Sequence, residues 1–405
     1  MKGLTKREQA MKISAVICEY NPFHTGHLYQ LTQAKKTQDA VICILSGVFV
    51  QRAAPAIAPP HVRAAWALQH GADMVVELPL PYAAADAGLF CRGGVSIAGR
   101  LPNVSTLLMG VEDDDGALLS ALARIRAEET PAFKTRLQAA LSGGTGYPAA
   151  LTEATALTAA ARGVDPDAAR RFLRAPNNLL AVGYLCEIFR QGLPIEPLAI
   201  GRQGGGHHDK TPHGDFLSAS GLRALLYRGE LAAASRYLPA GAAACDGRLP
   251  DLKLFDALCL AALRSLEPAD AAALYSAGEG IENRLLNAAA RAPTLAEALE
   301  AAKTKRYPTA RLKRLALEAL LCVKKDLCPT LAPPYIRLLG IREAFKPYLK
   351  DCGGILLKEN KDFDRAKDDP HTAALLRLNE RASRLYGQLA GIPGDLFYGQ
   401  RVVVV

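Results

Sequence analysis

Four short apolar segments, separated by segments with helical spacing, constrain the fold of this chain more than any other feature. They are rich in β-branched residues, which favours strands over helices. The four segments are KISAVICEY (12–20), DAVICILSG (39–47), ADMVVELPL (72–80) and VSTLLMGVED (104–113). Apolar strands that alternate with helices are typical of a parallel sheet with helices on both faces. We therefore predict an α/β fold with a Rossmann-like parallel sheet.

The rest of the chain is mainly helical. The segment 116–192 is rich in alanine, and its clearest helix is PNNLLAVGYLCEIFRQG (176–192). A further strand, IEPLAIGR (195–202), is expected to rejoin the sheet, and SASGLRALLYRG (218–229) is predicted as a helix capped by Ser218 or Ser220. From about Ala232 the pattern is helical up to the terminal LFYGQRVVVV. We predict two domains, an α/β domain (1–230) and a mainly α-helical domain (231–405).

Composition narrows the class of protein. The 405 residues are 50% hydrophobic, as in globular proteins, and include no apolar run long enough to span a bilayer. The polar, basic start does not resemble a signal peptide, so we expect a soluble, cytoplasmic protein without a membrane partner. Nine cysteines without a C-x-x-C pair are typical of buried thiols in a reducing compartment. The net charge of +9 fits a nucleic-acid partner, and equally fits a basic enzyme that has none.

The segment ICEYNPFHTGHLYQL (17–31) carries His24 and His27 at the predicted junction of the first strand and the first helix. A helix that begins near Gly26 directs its free N–H groups and positive dipole end to the carboxyl edge of the sheet, which favours phosphate binding. Gly26 has no side chain, so a nucleotide can approach its backbone. Imidazoles one turn apart face the same site and, protonated or as hydrogen-bond donors, can stabilise charge on a phosphate oxygen.

Two other interpretations apply to these histidines. They can be a packed pair at a helix start, or two ligands of a metal, because H-x-x-H is also a ligand spacing. A metal site needs further ligands, and the sequence contains no H-E-x-x-H pattern. We therefore favour nucleotide binding and predict no protein metal site.

The motif EYNPFHTGH (19–27) resembles the T/H-x-G-H signature of the nucleotidyltransferase superfamily, which includes adenylyltransferases and class I aminoacyl-tRNA synthetases. More narrowly, the chain resembles the bacterial tRNA(Met) cytidine acetate ligase family from about Lys12 into the helical half. The resemblance rests on segments in a shared order: EYNPFHTGHLYQL, SGVFVQR, ADMVVELPLPYA, LLMGVED, PNNLLAVGYL, SASGLR and TKRYPTARLKRL.

This resemblance implies an ATP-dependent ligase whose partners are acetate, ATP with Mg²⁺, and elongator tRNA(Met). In that family acetate attacks the α-phosphate of ATP, pyrophosphate leaves, and the acetyl-adenylate acylates N4 of the wobble cytidine to give N4-acetylcytidine. By this resemblance His24 and His27 are the catalytic residues. The ATP-binding residues that it implies are Ile17, Cys18, Glu19, Tyr20, Asn21, Pro22, Phe23, His24, Thr25, Gly26, His27, Leu28, Tyr29, Gln30, Gly110, Asn177 and Arg202.

Without the family resemblance, the sequence leaves the roles of Gly110, Asn177 and Arg202 open. Gly110 follows the fourth strand, where its N–H can meet a base or ribose, and an ordinary turn glycine is the simpler interpretation. Asn177 opens a helix after Pro176, where it can contact ATP or act as an N-cap. Arg202 can hold phosphate or form a surface ion pair. The next loop can approach phosphate or serve as a flexible connector; it contains Gly204, Gly205, Gly206, His207 and His208.

The chain departs from the family at one place. After FVQR the family continues with Gly-Glu and then with a lysine before the next helix, whereas this chain has Ala53-Ala54 and Pro59-Pro60. Gln51, Arg52 and Arg63 remain. If the lysine assists the departing pyrophosphate, either another cation replaces it or the activity is weakened.

The segment AKTKRYPTARLKRLALEALL (302–321) is the strongest cationic feature of the second half. Its basic groups can neutralise phosphates, and a tyrosine can stack on an unpaired base. A solvated helix face gives the same pattern, and the family resemblance favours tRNA. We predict that tRNA is bound by Lys303, Lys305, Arg306, Tyr307, Arg311, Lys313 and Arg314, with Arg337, Arg342 and Lys346 extending the patch.

Two other functions remain open from the sequence. A small-molecule adenylyltransferase would use the same first domain and would not need the long basic helical half. A catalytically idle nucleotide- or RNA-binding protein would tolerate the missing lysine.

Overall fold

The predicted strands form the centre of a mostly parallel sheet. The structure, a computed structural model, describes residues 11–202, 216–242, 248–327, 332–353 and 356–405. Within these residues the strands are β1 (Ile13–Cys18), β2 (Ala40–Ser46), β3 (Phe49–Val50), β4 (Ala54–Pro55), β5 (Met74–Leu78), β6 (Val104–Val111), β7 (Glu196–Gly201), β8 (Ile336–Ile341), β9 (Leu356–Leu357) and β10 (Val403–Val404). Their order in the main sheet is β10–β8–β5–β2–β1–β6–β7, with β9 paired to β8, while β3 and β4 form a separate hairpin. The α/β prediction is confirmed.

The direction in which strands are added changes at β1. The chain extends the sheet from β1 through β2 to β5 on one side, and then from β6 to β7 on the other, with parallel pairing at every step. In such sheets ligands bind at the carboxyl ends of the strands where the order reverses. The carboxyl ends of β1 and β6 therefore mark the expected site.

The described residues include eighteen α-helices, and at least nine of them begin at an N-cap whose side chain accepts a backbone hydrogen bond. Ser218, one of the two predicted caps, accepts a hydrogen bond from the Gly221 N–H at 3.2 Å. The helices are α1 (Thr25–Ala34), α2 (Pro60–Gln69), α3 (Ala87–Arg100), α4 (Gly116–Glu128), α5 (Pro131–Ser142), α6 (Tyr147–Ala160), α7 (Pro166–Arg174), α8 (Pro176–Gln191), α9 (Ala219–Tyr227), α10 (Leu231–Ser235), α11 (Leu252–Ser265), α12 (Pro268–Ala273), α13 (Ile281–Arg291), α14 (Leu295–Ala302), α15 (Thr309–Leu321), α16 (Tyr348–Asp351), α17 (Asn360–Ala366) and α18 (Pro370–Ala390).

The central strands are buried on both faces, which explains why they are apolar throughout. In β1, Ile13, Ala15 and Ile17 belong to one apolar cluster, whereas Val16 and Cys18 belong to another. This is the expected alternation of side chains between the faces of a sheet. Helices α3, α4, α8, α11 and α15 contribute to the first cluster, and α1, α2 and α9 contribute to the second.

Two strands of the sheet, β8 and the two-residue β9, come from a segment that was expected to be helical. β8 pairs antiparallel with β5, and β10 pairs with β8. The prediction of helix from Ala232 to the terminal segment is therefore wrong at 336–341 and at 356–357. The segment IRLLGI is short and apolar except for Arg337, and periodicity alone cannot distinguish such a segment from part of a buried helix.

A buried ion pair links β8 to β5. The Arg337 Nη1 atom lies 3.0 Å from Glu77 Oε2, and the Arg337 guanidinium lies over the Phe397 ring, 4.3 Å from its centroid. Both charged side chains are almost fully buried. Arg337 therefore does not extend a surface patch, which corrects that expectation, whereas Arg342 and Lys346 are exposed.

The division of the chain at residue 230 stays a prediction. The second segment is mainly helical, and it also supplies β8, β9 and β10 to the sheet of the first. Among the helices of the described residues, none has the length and apolar character needed to cross a membrane.

We expect Arg337→Met to lower the free energy of unfolding by about 3–5 kcal/mol, because it leaves the Glu77 carboxylate buried without its partner. Urea unfolding of the variant measures this. Arg342→Met is the control, since Arg342 is exposed and lies 3.9 Å from Asp73, and it should cost less than about 1 kcal/mol. Equal effects of the two substitutions would show that the buried pair does not hold β8 to the sheet.

Candidate active site

His24 and His27 together form the cap at the N-terminus of the first helix, α1. His24 is the N-cap of α1, and its Nδ1 accepts a hydrogen bond from the Gly26 N–H at 3.0 Å. The backbone N–H of His24 in turn donates to Nδ1 of His27 at 3.4 Å. The two rings stack with their centroids 3.8 Å apart. Three-residue spacing is what such a reciprocal cap requires.

These hydrogen bonds fix the tautomer of both imidazoles. A ring nitrogen that accepts a hydrogen bond carries no proton, so each neutral imidazole carries its proton on Nε2. Burial, aided by Arg202 and Arg223, lowers the pKa of His24 to about 3. Burial and the neighbouring His24 also hold the pKa of His27 well below its ordinary value. The sequence left open whether these imidazoles are protonated or are neutral hydrogen-bond donors. The structure favours neutral donors in the unliganded protein.

Gly26 is required by the cap itself. A Cβ atom at this position would lie 2.8 Å from Cε1 of His24, closer than carbon atoms approach in folded proteins. From the sequence, we explain the glycine at this position by the close approach of a nucleotide to the backbone. The structure gives a more direct reason, which is that the His24 ring covers the backbone at Gly26.

A cavity of about 460 Å³ lies at the carboxyl ends of β1 and β6, in front of the histidine pair. Its volume is in the range of small-molecule sites. Helices α8, α9 and α15 contribute side chains to its walls. We call this cavity the central cleft.

Most of the residues implied for ATP binding meet at the central cleft. Those that line it are Ile17, Cys18, Glu19, Tyr20, Asn21, His24, His27, Gln30, Gly110, Asn177 and Arg202. The others shape the turn and the helix behind it without lining it; they are Pro22, Phe23, Thr25, Gly26, Leu28 and Tyr29. Phe23, for example, is fully buried. The loop with Gly204, Gly205, Gly206, His207 and His208 lies outside the described residues.

Asn177 is already engaged with a neighbour. Its Nδ2 donates to Glu112 Oε1 at 2.6 Å, and its backbone N–H donates to Glu112 Oε2 at 3.1 Å. Asn178, which the sequence did not single out, is buried and accepts from the Glu112 N–H at 2.8 Å. The N-cap of α8 is Ala175, so Asn177 is not the plain N-cap that was considered. Gly110 lies within β6 and does not follow it.

The central cleft is strongly cationic, and sequence reasoning missed part of this charge. Among the described residues that line it, four are arginines and one, Glu19, is a carboxylate. The arginines are Arg52, Arg202, Arg223 and Arg314. Arg223 comes from the SASGLR segment, which marked the family but was not assigned to the site. Arg314, which was predicted to bind tRNA, lies in the wall of the central cleft, and its role in tRNA binding stays a prediction.

Arg63 does not supply the missing cation. It is 0% exposed and donates to the carbonyl oxygens of Glu19 at 2.6 Å, Ser46 at 2.9 Å and Ala58 at 2.9 Å, and to that of Gly47. Four of its five N–H groups therefore hold backbone carbonyls. The cations that can replace the family lysine are the arginines of the central cleft.

The remaining residues of the basic segment lie outside the central cleft. Lys305, Arg306 and Lys313 are exposed. Exposed Lys303 pairs with Glu300 at 3.2 Å, while Arg306 and Arg311 share Glu279 at 3.4 Å and 3.0 Å. The Tyr307 hydroxyl donates to the Glu279 carbonyl oxygen, so one edge of this ring is held against the protein.

Comparisons with known proteins show which family the chain resembles. Residues 11–392 match the family described as HIGH Nucleotidyl Transferase. The tRNA(Met) cytidine acetate ligase of Clostridium perfringens is 32% identical over 94% of this chain and 96% of its own length. That of Listeria monocytogenes is 35% identical over 84% of this chain and 86% of its own length.

The chain belongs to the tRNA(Met) cytidine acetate ligase family of HIGH nucleotidyl transferases. The apo structure of Thermotoga maritima TmcAL is similar to it with a TM-score of 0.93 and 27% identity, over 98% of this chain and 100% of that one. A second structure of that protein, bound with alpha-thio ATP, is similar with a TM-score of 0.91, 26% identity and the same coverage. The family resemblance predicted from the motifs is confirmed.

We expect His24 and His27 to remain neutral at pH 6.5, where an unfolded histidine is half protonated, in the unliganded protein. Their folded-state pKa values lie below the ~6.5 of an unfolded chain, so the unfolded state binds protons first. The free energy of unfolding should therefore fall as the pH falls from about 6.5 towards about 3. Imidazole ¹⁵N shifts, with the urea-unfolded chain as control, would measure both the tautomer and the protonation. Protonation of either ring near pH 6.5 in the folded protein would contradict this assignment.

Proposed function

We propose that this protein is an ATP-dependent ligase that activates acetate as acetyl-adenylate and acetylates N4 of the wobble cytidine of elongator tRNA(Met). Its named relatives are tRNA(Met) cytidine acetate ligases. The observation that carries the proposal is the pair of imidazoles whose Nδ1 atoms accept hydrogen bonds and whose Nε2 atoms have no partner among the described residues, at the edge of a cleft where the described lining includes four arginines and one carboxylate. This charge balance suits a triphosphate, and a structural relative has alpha-thio ATP bound.

The histidines are suited to the first half-reaction. An acetate oxygen attacks the α-phosphorus in line, the bond to the pyrophosphate oxygen breaks, and charge grows on the α-phosphate oxygens. Preorganised Nε2–H donors of His24 and His27 stabilise that charge without moving a proton. Arg202 and Arg223 lie close enough to lower the pKa of His24, so their positive charge acts on the same oxygens.

Two arginines are suited to the role of the missing lysine. Arg52 and Arg314 line the central cleft, from the loop after β3 and from α15 respectively. A guanidinium holds phosphate in a bidentate manner and remains charged at neutral pH. Their assignment to the departing pyrophosphate is part of the proposal.

The donor set of the central cleft also suits Mg²⁺ that arrives with ATP. Mg²⁺ prefers one or two carboxylates together with phosphates and water, and Glu19 is the carboxylate among the described lining residues. One Glu19 oxygen, Oε1, accepts from the Gln51 N–H at 2.9 Å, which orients the group and leaves the other oxygen available. Bound there, the ion would neutralise charge on the phosphates.

The second half-reaction needs the tRNA to reach the adenylate. The exposed basic groups of the segment 303–313 support binding of its phosphates, and we propose a cytoplasmic location because that is where tRNA is found. A free small-molecule acceptor would not require this surface.

We expect His24→Ala and His27→Ala each to lower the rate of acetate-dependent ATP–pyrophosphate exchange by roughly 10²–10³, since each removes a transition-state donor. ATP affinity should fall much less. His70→Ala is the control, because His70 packs against Phe23 behind the turn, with its ring centroid 5.3 Å away, and does not line the central cleft.

The same assay separates the rival functions. Exchange that needs acetate, followed by acetylated tRNA cytidine in nucleoside mass analysis, supports the ligase. Exchange with another acid or nucleotide precursor would favour a small-molecule adenylyltransferase. No exchange with any acid would favour an idle binding protein.

We expect the triple variant Lys303→Ala, Lys305→Ala, Arg306→Ala to weaken tRNA binding and to flatten its salt dependence. Each lost phosphate contact should change the slope of log K against log salt by about 0.7–0.9. A salt titration of tRNA affinity measures this, and acetate-dependent exchange without tRNA should be unaffected.

The matched control removes the same charge elsewhere. Lys361, Arg365 and Lys367 lie on or directly after α17, each with at least 44% of its side chain exposed. Their triple alanine variant should bind tRNA with the wild-type slope. Identical slopes for both triple variants would mean that the segment 303–306 is only a solvated surface.

A further inference from the structure

A second cavity, of about 390 Å³, lies beside the central cleft. The two cavities adjoin along two chain segments, in each of which neighbouring residues line different cavities. Arg52 lines the central cleft and Ala53 lines the second cavity; on α15, Ala310 and Arg314 line the first, and Thr309 lines the second. We call this second cavity the side pocket.

The side pocket has an apolar floor and a polar rim. Buried Phe255, Cys259 and Leu299 contribute to the floor, which can receive the face of an aromatic ring. Exposed Asp256 and Lys313 stand on the rim. An apolar surface with a few polar groups at its edge is the usual design of a site for a planar ligand.

The charged side chains on the rim, Asp256 and Lys313, have no hydrogen-bond or ion-pair partner within the part of the chain that the structure describes. They nevertheless lie close enough for Lys313 to influence the titration of Asp256. Burial raises the pKa of the Asp256 carboxyl. By contrast Glu300, also on the rim, is paired with Lys303. A carboxylate acceptor and an ammonium donor are thus both available to a ligand.

We propose that the side pocket receives the cytosine base that is acetylated, with Asp256 accepting from its N4 amino group and Lys313 donating to its ring acceptors. This rests on the proposed function. Carboxylates are the usual acceptors for cytosine N4–H₂. Uracil has a carbonyl oxygen at the same position, which the carboxylate would repel, so the pocket distinguishes the two pyrimidines.

The two cavities adjoin at Arg52–Ala53 and along α15, with no described residue lining both, so the proposed transfer requires N4 to reach the activated acid across this boundary. N4 forms a bond to the acetyl carbon, the bond from that carbon to the α-phosphate oxygen breaks, and AMP leaves with the electron pair. The nitrogen loses one proton, which the Asp256 carboxylate accepts. Acetyl-adenylate and cytosine thus become N4-acetylcytosine and AMP, with no further reactant.

The test compares Asp256→Asn with Glu267→Gln, which removes one exposed carboxylate just after α11 and outside both cavities. Acetyl transfer to tRNA in a single turnover should fall roughly 10²–10⁴-fold in Asp256→Asn, as for loss of a general base. ATP–pyrophosphate exchange and tRNA affinity should be unchanged. Normal transfer, or an equal loss of exchange, would overturn the proposal.

A binding measurement makes the result independent of the ligase activity. Saturation-transfer NMR with cytidine and with uridine should show binding of cytidine only. Asp256→Asn and the cavity-filling variant Ala54→Trp should abolish it, with retained exchange showing that the variants are folded. If the wild-type protein shows no acetate-dependent exchange, the proposed function fails, and this measurement alone decides the pocket. Absence of cytidine binding, or equal binding of uridine, then overturns the side pocket as a cytosine site.

Discussion

The free N–H groups at the start of α1 must be capped, and the rest of the site depends on how His24 does this. Its Nδ1 accepts the Gly26 N–H, and its own backbone N–H donates to His27. The hydrogen bonds that satisfy the helix end therefore also fix the tautomer and the direction of both imidazoles. The structural and the chemical interpretations of this pair are not alternatives, because the same bonds serve both.

The turn before the cap is held from outside the motif. Buried Arg63 donates to the Glu19 carbonyl oxygen, and Arg223 donates to the Asn21 carbonyl oxygen at 2.6 Å. The Asn21 side chain accepts from the Ile57 N–H at 2.7 Å. Two separate segments, 57–63 and α9, thus fix the path between β1 and α1. A buried guanidinium is costly unless its donors are satisfied, and here the backbone carbonyls satisfy them.

Side chains of helix α15 line both the central cleft and the side pocket. Successive residues of a helix point about 100° apart, so Lys313 and Arg314, adjacent in the basic run, face different cavities. Basic residues that are adjacent in the sequence therefore do not form one continuous surface in the folded protein. Arg314 contributes to the central cleft and exposed Lys313 to the side pocket, while the exposed residues Lys303, Lys305 and Arg306 line neither cavity.

The sequence by itself determined the parallel sheet, the position of the site at the end of β1, and the family. Local signals carry these, since apolar strands, capping residues and the motif are each contiguous in the chain. Only the tertiary structure decided that β8 joins the sheet, that Arg337 is buried, and that Arg223 and Arg314 meet His24 in one cleft. These depend on contacts between residues far apart in the chain, on which a periodic pattern carries no information. Burial likewise decided that the histidines are neutral, because desolvation lowers a pKa only after the surrounding residues have folded around the group.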